Sequence, residues 1–175
     1  GTAFDDSIFG LGGGDTLNGL AGNDILDGGA GTDTLNGGGD ADTLLGGGAA
    51  DTLNGDGGND TLDGGAGDDA INGGAGDDLI LFANGDGFDT VNGNGGNDIL
   101  QAVGTANTDI GLATFGTLEV IQAISANEAA RTVRIVCGGA ANNWNFAAVT
   151  LTNIDEIDGG GGNDTITGSA GPDVI

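Results

Sequence analysis

The chain has 175 residues, 41 of them glycine and one proline, and sets 27 acidic residues against two basic ones for a net charge of −25. That balance argues against an electrostatic grip on nucleic acid or on an anionic membrane. One proline excludes collagen and a proline-rich linker, a single cysteine (Cys137) excludes an intrachain disulfide, and no run approaches the ~20 apolar residues of a membrane span.

From Gly1 to Leu81 the chain is nine nonapeptides in unbroken phase: GTAFDDSIF, GLGGGDTLN, GLAGNDILD, GGAGTDTLN, GGGDADTLL, GGGAADTLN, GDGGNDTLD, GGAGDDAIN and GGAGDDLIL. Each has aspartate at its sixth position: Asp6, Asp15, Asp24, Asp33, Asp42, Asp51, Asp60, Asp69 and Asp78. Each has Leu or Ile at its eighth, from Ile8 to Ile80. High glycine with few aromatics can mean disorder, but a disordered chain has no need of a Leu every ninth residue. The period reads as stacked repeats. The first six residues of each copy are expected to form a glycine-rich turn and the last three a short strand. Glycine at positions one, two and four tolerates positive φ and close approach of neighbouring backbone. In a triplet such as Thr34-Leu35-Asn36 the middle side chain points to one face and its flanks to the other. Two nonapeptides then make one coil, with a strand on each side and the Leu and Ile side chains meeting between them.

The phase slips at Phe82–Asn92 (FANGDGFDTVN), an eleven-residue variant that keeps Asp89 and Val91. A regular copy, GNGGNDILQ, follows with Asp98 and Leu100. From Ala102 to Asp158 the period disappears, and longer strand-like runs start at Thr117 (TLEVIQA), Arg131 (RTVRIVC) and Val149 (VTLTNIDEI). In the second, Val133, Ile135 and Cys137 share one face, which makes Cys137 a small buried hydrophobe. GGGGNDTIT, with Asp164, and GSAGPDVI, with Asp173, close the chain. The expected organisation is therefore a repeat β-roll over 1–101, a non-repeat β segment over 102–158 that continues or caps it, and a short second repeat block over 159–175.

One Leu per nine residues is a thin core, and the aspartates oppose it. Unit charges one strand spacing apart, about 4.8 Å, repel by about 1 kcal/mol in water and by several times more near a protein surface. A bound cation reverses that sign. Carboxylates and carbonyls are hard oxygen ligands, and with no histidine and no phased cysteine they suit Ca²⁺. Zinc lacks the nitrogen and sulfur ligands it needs here.

GGAGTDTLN, GGAGDDAIN and GGAGDDLIL match the GGxGxDxUx nonapeptide, and the chain resembles the RTX (repeats-in-toxin) family over Gly1–Gln101 and Gly159–Ile175. The resemblance implies an all-β fold, a right-handed parallel β-roll or β-helix solenoid with a non-repeat β insert. It also implies several Ca²⁺ ions between the turns of alternate repeats. The ligands would be loop carbonyls and the sixth-position aspartates, Asp6 through Asp98 with Asp164 and Asp173. Type I secretion, an extracellular or cell-surface location and folding on meeting calcium are further implications. Phe4, Asp40 and Ala49 depart from glycine at position four. Weak or empty sites are expected at Phe4 and Ala49, and Asp40 either adds a ligand or faces water.

Other residues carry weaker signals. Asp27 and Asp63 at position nine read as solvated strand ends. Asp155 and Glu156 form an acidic pair with no second chemical signal, so no enzyme activity is expected. Trp144 reads as a core or cap anchor, and Arg131 and Arg134 as partners of surplus carboxylates. The first residue is not Met, no signal peptide is visible, and the final copy stops at position eight, so a piece of something longer or a processed subunit is expected. The leading function is a structural module of a secreted adhesin, surface layer or fibre that self-associates head to tail, with cell-surface or matrix partners left open. The alternative is the calcium-dependent folding and secretion tail of an enzyme or toxin.

Overall fold

A computed structural model describes residues 1–103, 108–116, 120–123, 133–137, 143–146, 149–152, 154, 156–161 and 163–168. The repeat region forms strands β1 (Ser7–Phe9), β2 (Thr16–Ala21), β3 (Ile25–Ala30), β4 (Thr34–Gly39), β5 (Thr43–Gly48), β6 (Thr52–Gly57), β7 (Thr61–Ala66), β8 (Ala70–Ala75), β9 (Leu79–Phe82), β10 (Asp89–Gly95) and β11 (Ile99–Ala102). Later strands are β12 (Thr108–Phe115), β13 (Val120–Ala123), β14 (Val133–Cys137), β15 (Asn143–Asn145), β16 (Thr150–Thr152), β17 (Glu156–Asp158) and β18 (Thr165–Thr167).

Odd strands pair only with odd ones through β11, and even with even. One sheet runs β1-β3-β5-β7-β9-β11-β13-β16 and the other β17-β14-β12-β10-β8-β6-β4-β2. All pairs are parallel, and the repeat registers match position to position, as in Leu17↔Leu35 and Leu26↔Leu44. Two nonapeptides therefore close one coil of a β-solenoid. The eighth-position side chains Leu26, Leu35, Leu44, Leu53, Leu62 and Ile80 are fully buried in a single core between the sheets.

The strands are longer than the triplets expected. Strands β2 to β8 each run six residues, from position seven through position three of the next copy, as in TLNGGG of β4. Only positions four to six turn. The reason is position one, whose glycine lies buried beside the core while its strand continues past it. Glycine has low strand propensity, yet the parallel neighbour here is the same glycine-rich segment, and pairing outweighs propensity.

The non-repeat segment extends the same two sheets through β12, β13, β14, β16 and β17. Strand β12 was not apparent from the sequence. The run from Val149 gives two strands, β16 and β17, in opposite sheets. Ile135 and Cys137 are buried as expected, and burial pushes the Cys137 thiol up to about 12. Strand β18 pairs with β15 in a separate two-stranded sheet. Arg134 lies 3.8 Å from Asp158, and Glu156 is exposed. The Trp144 side chain, Arg131, Asp155 and Asp173 lie outside the described residues.

Candidate metal centre

The sixth-position aspartates stand where each turn re-enters a strand, and the coil sorts them into two columns. One holds Asp6, Asp24, Asp42, Asp60, Asp78 and Asp98, the other Asp15, Asp33, Asp51, Asp69 and Asp89. Within a column, each backbone N–H donates to the carboxylate one coil later. Asp6 N–H reaches Asp24 Oδ1, Asp24 N–H reaches Asp42 Oδ1, and Asp42 N–H reaches Asp60 Oδ1, each at 2.7 Å. In the second column Asp15 N–H reaches Asp33 Oδ1 at 2.7 Å and Asp69 N–H reaches Asp89 Oδ1 at 2.9 Å. The step is 18 residues in regular copies and 20 where the eleven-residue variant intervenes. The variant thus absorbs its two extra residues in the turn and returns Asp89 to its column.

In seven of these carboxylates the second oxygen has no protein partner. Oδ2 of Asp24, Asp33, Asp42, Asp51, Asp60, Asp69 and Asp78 is buried and accepts no hydrogen bond. A buried carboxylate oxygen left unsatisfied is costly. It shows in the titration of the column: burial, with neighbouring carboxylates adding to it, raises Asp60, Asp69 and Asp78 to about 6 and Asp89 to about 8. Burial also raises Asp42 and Asp51. At the first coil, Asp6 is only half-buried, and the Thr2 hydroxyl and N–H hold its carboxyl below the usual range.

Position-one glycine makes room for that orphaned oxygen. A Cβ on Gly55 would sit 2.3 Å from Gly73 O and 2.4 Å from Asp60 Oδ2. On Gly19 it would sit 2.3 Å from Asp24 Oδ2 and 2.4 Å from Gly37 O. The missing side chain therefore opens a cradle where a carboxylate oxygen and a main-chain carbonyl from the next coil converge. Carbonyls also stack in columns at position four, where a Cβ on Gly58 would meet Asp40 O at 1.9 Å. Among the described residues no three acidic side chains converge on one point. A cation in this array would draw on carbonyls as well as carboxylates, an all-oxygen set that fits Ca²⁺ and not zinc.

Every predicted site residue except Asp173, which lies outside the described residues, can be placed. Asp24, Asp33, Asp42, Asp51, Asp60, Asp69, Asp78, Asp89 and Asp98 are buried in the columns. Asp6 and Asp15 are half-buried at the first coil. Asp164 repeats the local geometry, with its Oδ2 3.1 Å from a Cβ on Gly159, but in a separate part of the sheet order. The turn at Ala49 keeps its shape, with φ +80°, as does Asp40 with +76°. Phe4 is not among the positive-φ residues. Asp40 accepts from Gly22 N–H at 3.2 Å. Asp63 is not a solvated strand end: it is half-buried between Leu45 and Leu81, and that burial raises its pKa.

Two sets of residues escaped the sequence reading. Position five carries a second ladder of opposite polarity, in which the later coil donates to the earlier. Asn23 N–H reaches Asp5 Oδ1 at 2.9 Å, Asp77 N–H reaches Asn59 Oδ1 at 3.0 Å, and Asn97 N–H reaches Asp77 Oδ1 at 2.8 Å. Position nine of the even copies carries an amide ladder, Asn36 to Asn18 and Asn54 to Asn36 at 2.9 Å and Asn72 to Asn54 at 3.1 Å. The signal for the amide ladder is a period of 18 rather than nine.

Fold and site together define a β-solenoid whose turns present columns of hard oxygen donors, the donor chemistry of a calcium-binding repeat protein. A family model for the RTX calcium-binding nonapeptide repeat matches residues 1–26, 9–44, 45–80, 84–102 and 151–175, well over half of the sequence. The chain belongs to this family. No curated protein matches it.

Proposed function

We propose that the chain is an extracellular, calcium-dependent structural module, part of a secreted adhesin, surface layer or fibre, with no chemistry of its own. The observation that carries the calcium dependence is the row of buried carboxylate oxygens without partners, beside glycine cradles and stacked carbonyls. A fold that buries such a row needs positive charge, and this chain has almost none to offer. The sixth-position aspartates from Asp6 to Asp98 are the proposed carboxylate ligands, one or two to an ion, with Asp164 and Asp173 serving a separate block. Secretion is supported by the family, since low calcium would leave the chain unfolded and high calcium outside would fold it.

End-to-end stacking is supported by the self-similarity of the coils. Each repeat coil offers its neighbour the same register and the same Asp-to-N–H bonds, so a second copy can meet the first repeat coil as a further coil would. Circular dichroism during calcium titration tests the first claim: β signal should appear with calcium and vanish in excess chelator. A native fold in chelator at neutral pH would overturn it. Light scattering of the calcium-loaded chain at rising concentration tests the second, and a strict monomer throughout would overturn stacking.

A further inference from the structure

The amide ladder is made of a chemically fragile dipeptide. Seven asparagines precede glycine: Asn18, Asn36, Asn54, Asn72, Asn84, Asn92 and Asn94. With no side chain on the following residue, its backbone nitrogen can reach the asparagine Cγ. The N–Cγ bond forms, the Cγ–Nδ2 bond breaks and ammonia leaves. Water then opens the cyclic imide to aspartate or to isoaspartate, whose main chain is one carbon longer. Only water is consumed. The reaction needs a backbone free to fold the glycine nitrogen back onto the side chain.

The fold treats these asparagines unequally. Asn18, Asn36, Asn54 and Asn72 lie in extended strands β2, β4, β6 and β8, with amides tied coil to coil at 2.9–3.1 Å. Asn84 is exposed in the turn between β9 and β10, outside any strand, and Gly85 after it has φ +100°. We propose that the four ladder asparagines are spontaneous deamidation sites that folding closes, and that Asn84 stays open in the folded chain. The consequence is directional. Aspartate at position 36 could no longer donate to Asn18 and would add charge to the ladder. Isoaspartate would shift the strand register, which turns side chains to the wrong face. Time spent unfolded would therefore be written irreversibly into the element that aligns one sheet.

The link to calcium rests on the function proposed above, whereas the link to folding does not, and the test separates them. The chain is held at neutral pH in calcium, in chelator, and in urea with calcium. Conversion at each Asn-Gly is read by peptide mass spectrometry, and folding by circular dichroism. In the folded state, the four ladder sites should convert at least about tenfold more slowly than in urea, because reaction there requires local opening, while Asn84 converts at a rate near its rate in urea. Ladder conversion as fast in the folded chain as in urea, or protection of Asn84 equal to theirs, overturns the proposal. A chain that stays folded and protected in chelator supports it and refutes the calcium reading instead. Chains deamidated in urea and returned to calcium should recover less β signal than fresh chains, and equal recovery overturns the proposed consequence.

Discussion

Replacing Asp60 with asparagine should change stability in opposite directions with and without calcium. Asp60 Oδ1 accepts the Asp42 N–H at 2.7 Å, and its Oδ2 lies buried without a partner at the Gly55 cradle, with Gly73 O on the same side. Without metal, burial and the neighbouring carboxylates lift its pKa from 3.8 to about 6. Holding the ionised form in the fold at pH 7 then costs about 3 kcal/mol. Asparagine keeps the acceptor for Asp42, removes the charge and sets an N–H₂ donor beside the Gly73 carbonyl. Asp60→Asn should therefore stabilise the calcium-free fold by up to about 3 kcal/mol. With calcium the sign reverses, because one formal charge and one free ligand oxygen are gone: at 1.4 kcal/mol per tenfold, a loss of calcium affinity greater than about 150-fold outweighs that gain. Circular dichroism in chelator, where the variant should keep more β signal than the parent, and urea melts in calcium, where it should unfold earlier, measure both arms. A variant with no more β signal than the parent in chelator would mean that Asp60 serves only as a backbone cap, and the argument from the orphaned oxygen would fail.

Acidity should imitate the metal in part. The raised carboxylates bind more protons folded than unfolded, so calcium-free stability is greatest below about pH 4 and falls as pH rises through about 6 for Asp60, Asp69 and Asp78 and about 8 for Asp89. The β signal in chelator at pH 5 and pH 8 checks this, and a stronger signal at pH 8 refutes it. Gly55→Ala should abolish calcium-induced folding at ordinary calcium concentration, since its Cβ would lie 2.3 Å from a main-chain carbonyl and 2.4 Å from the Asp60 carboxylate. Calorimetry would show an unshifted transition if the cradle were not needed. Ala49→Gly should raise stability by about 1 kcal/mol, because alanine there is held at φ +80°. Leu53→Ala, at a fully buried core position, should cost about 2–5 kcal/mol in the same urea melts.

Much of the site was legible because its logic is one-dimensional. A nine-residue period with Leu53 and Asp60 at fixed offsets forces one side chain into the core and the other to the end of a turn, whatever the neighbours. Period and chemistry sufficed to place the aspartates in columns and to ask for a hard cation. Strand length was not legible, because glycines such as Gly55 and Gly57 read as turn by propensity and become strand only when equivalent glycine-rich segments lie beside them. The Asp63 environment was hidden for a related reason: its burial comes from Leu45 and Leu81, 18 residues away on either side.

By itself, then, the sequence determined the repeat, the all-β solenoid, the two-copy coil and the demand for calcium, since each follows from spacing and residue type along the chain. Tertiary structure alone decided which oxygen of each aspartate is tied to a backbone N–H and which is left bare for a cation. It also set the opposite polarity of the position-five ladder, the amide column through Asn18, Asn36, Asn54 and Asn72, and the continuation of both sheets through residues with no period. These depend on contacts between coils, and a coil-to-coil contact joins residues whose distance along the chain gives no local sign of their meeting.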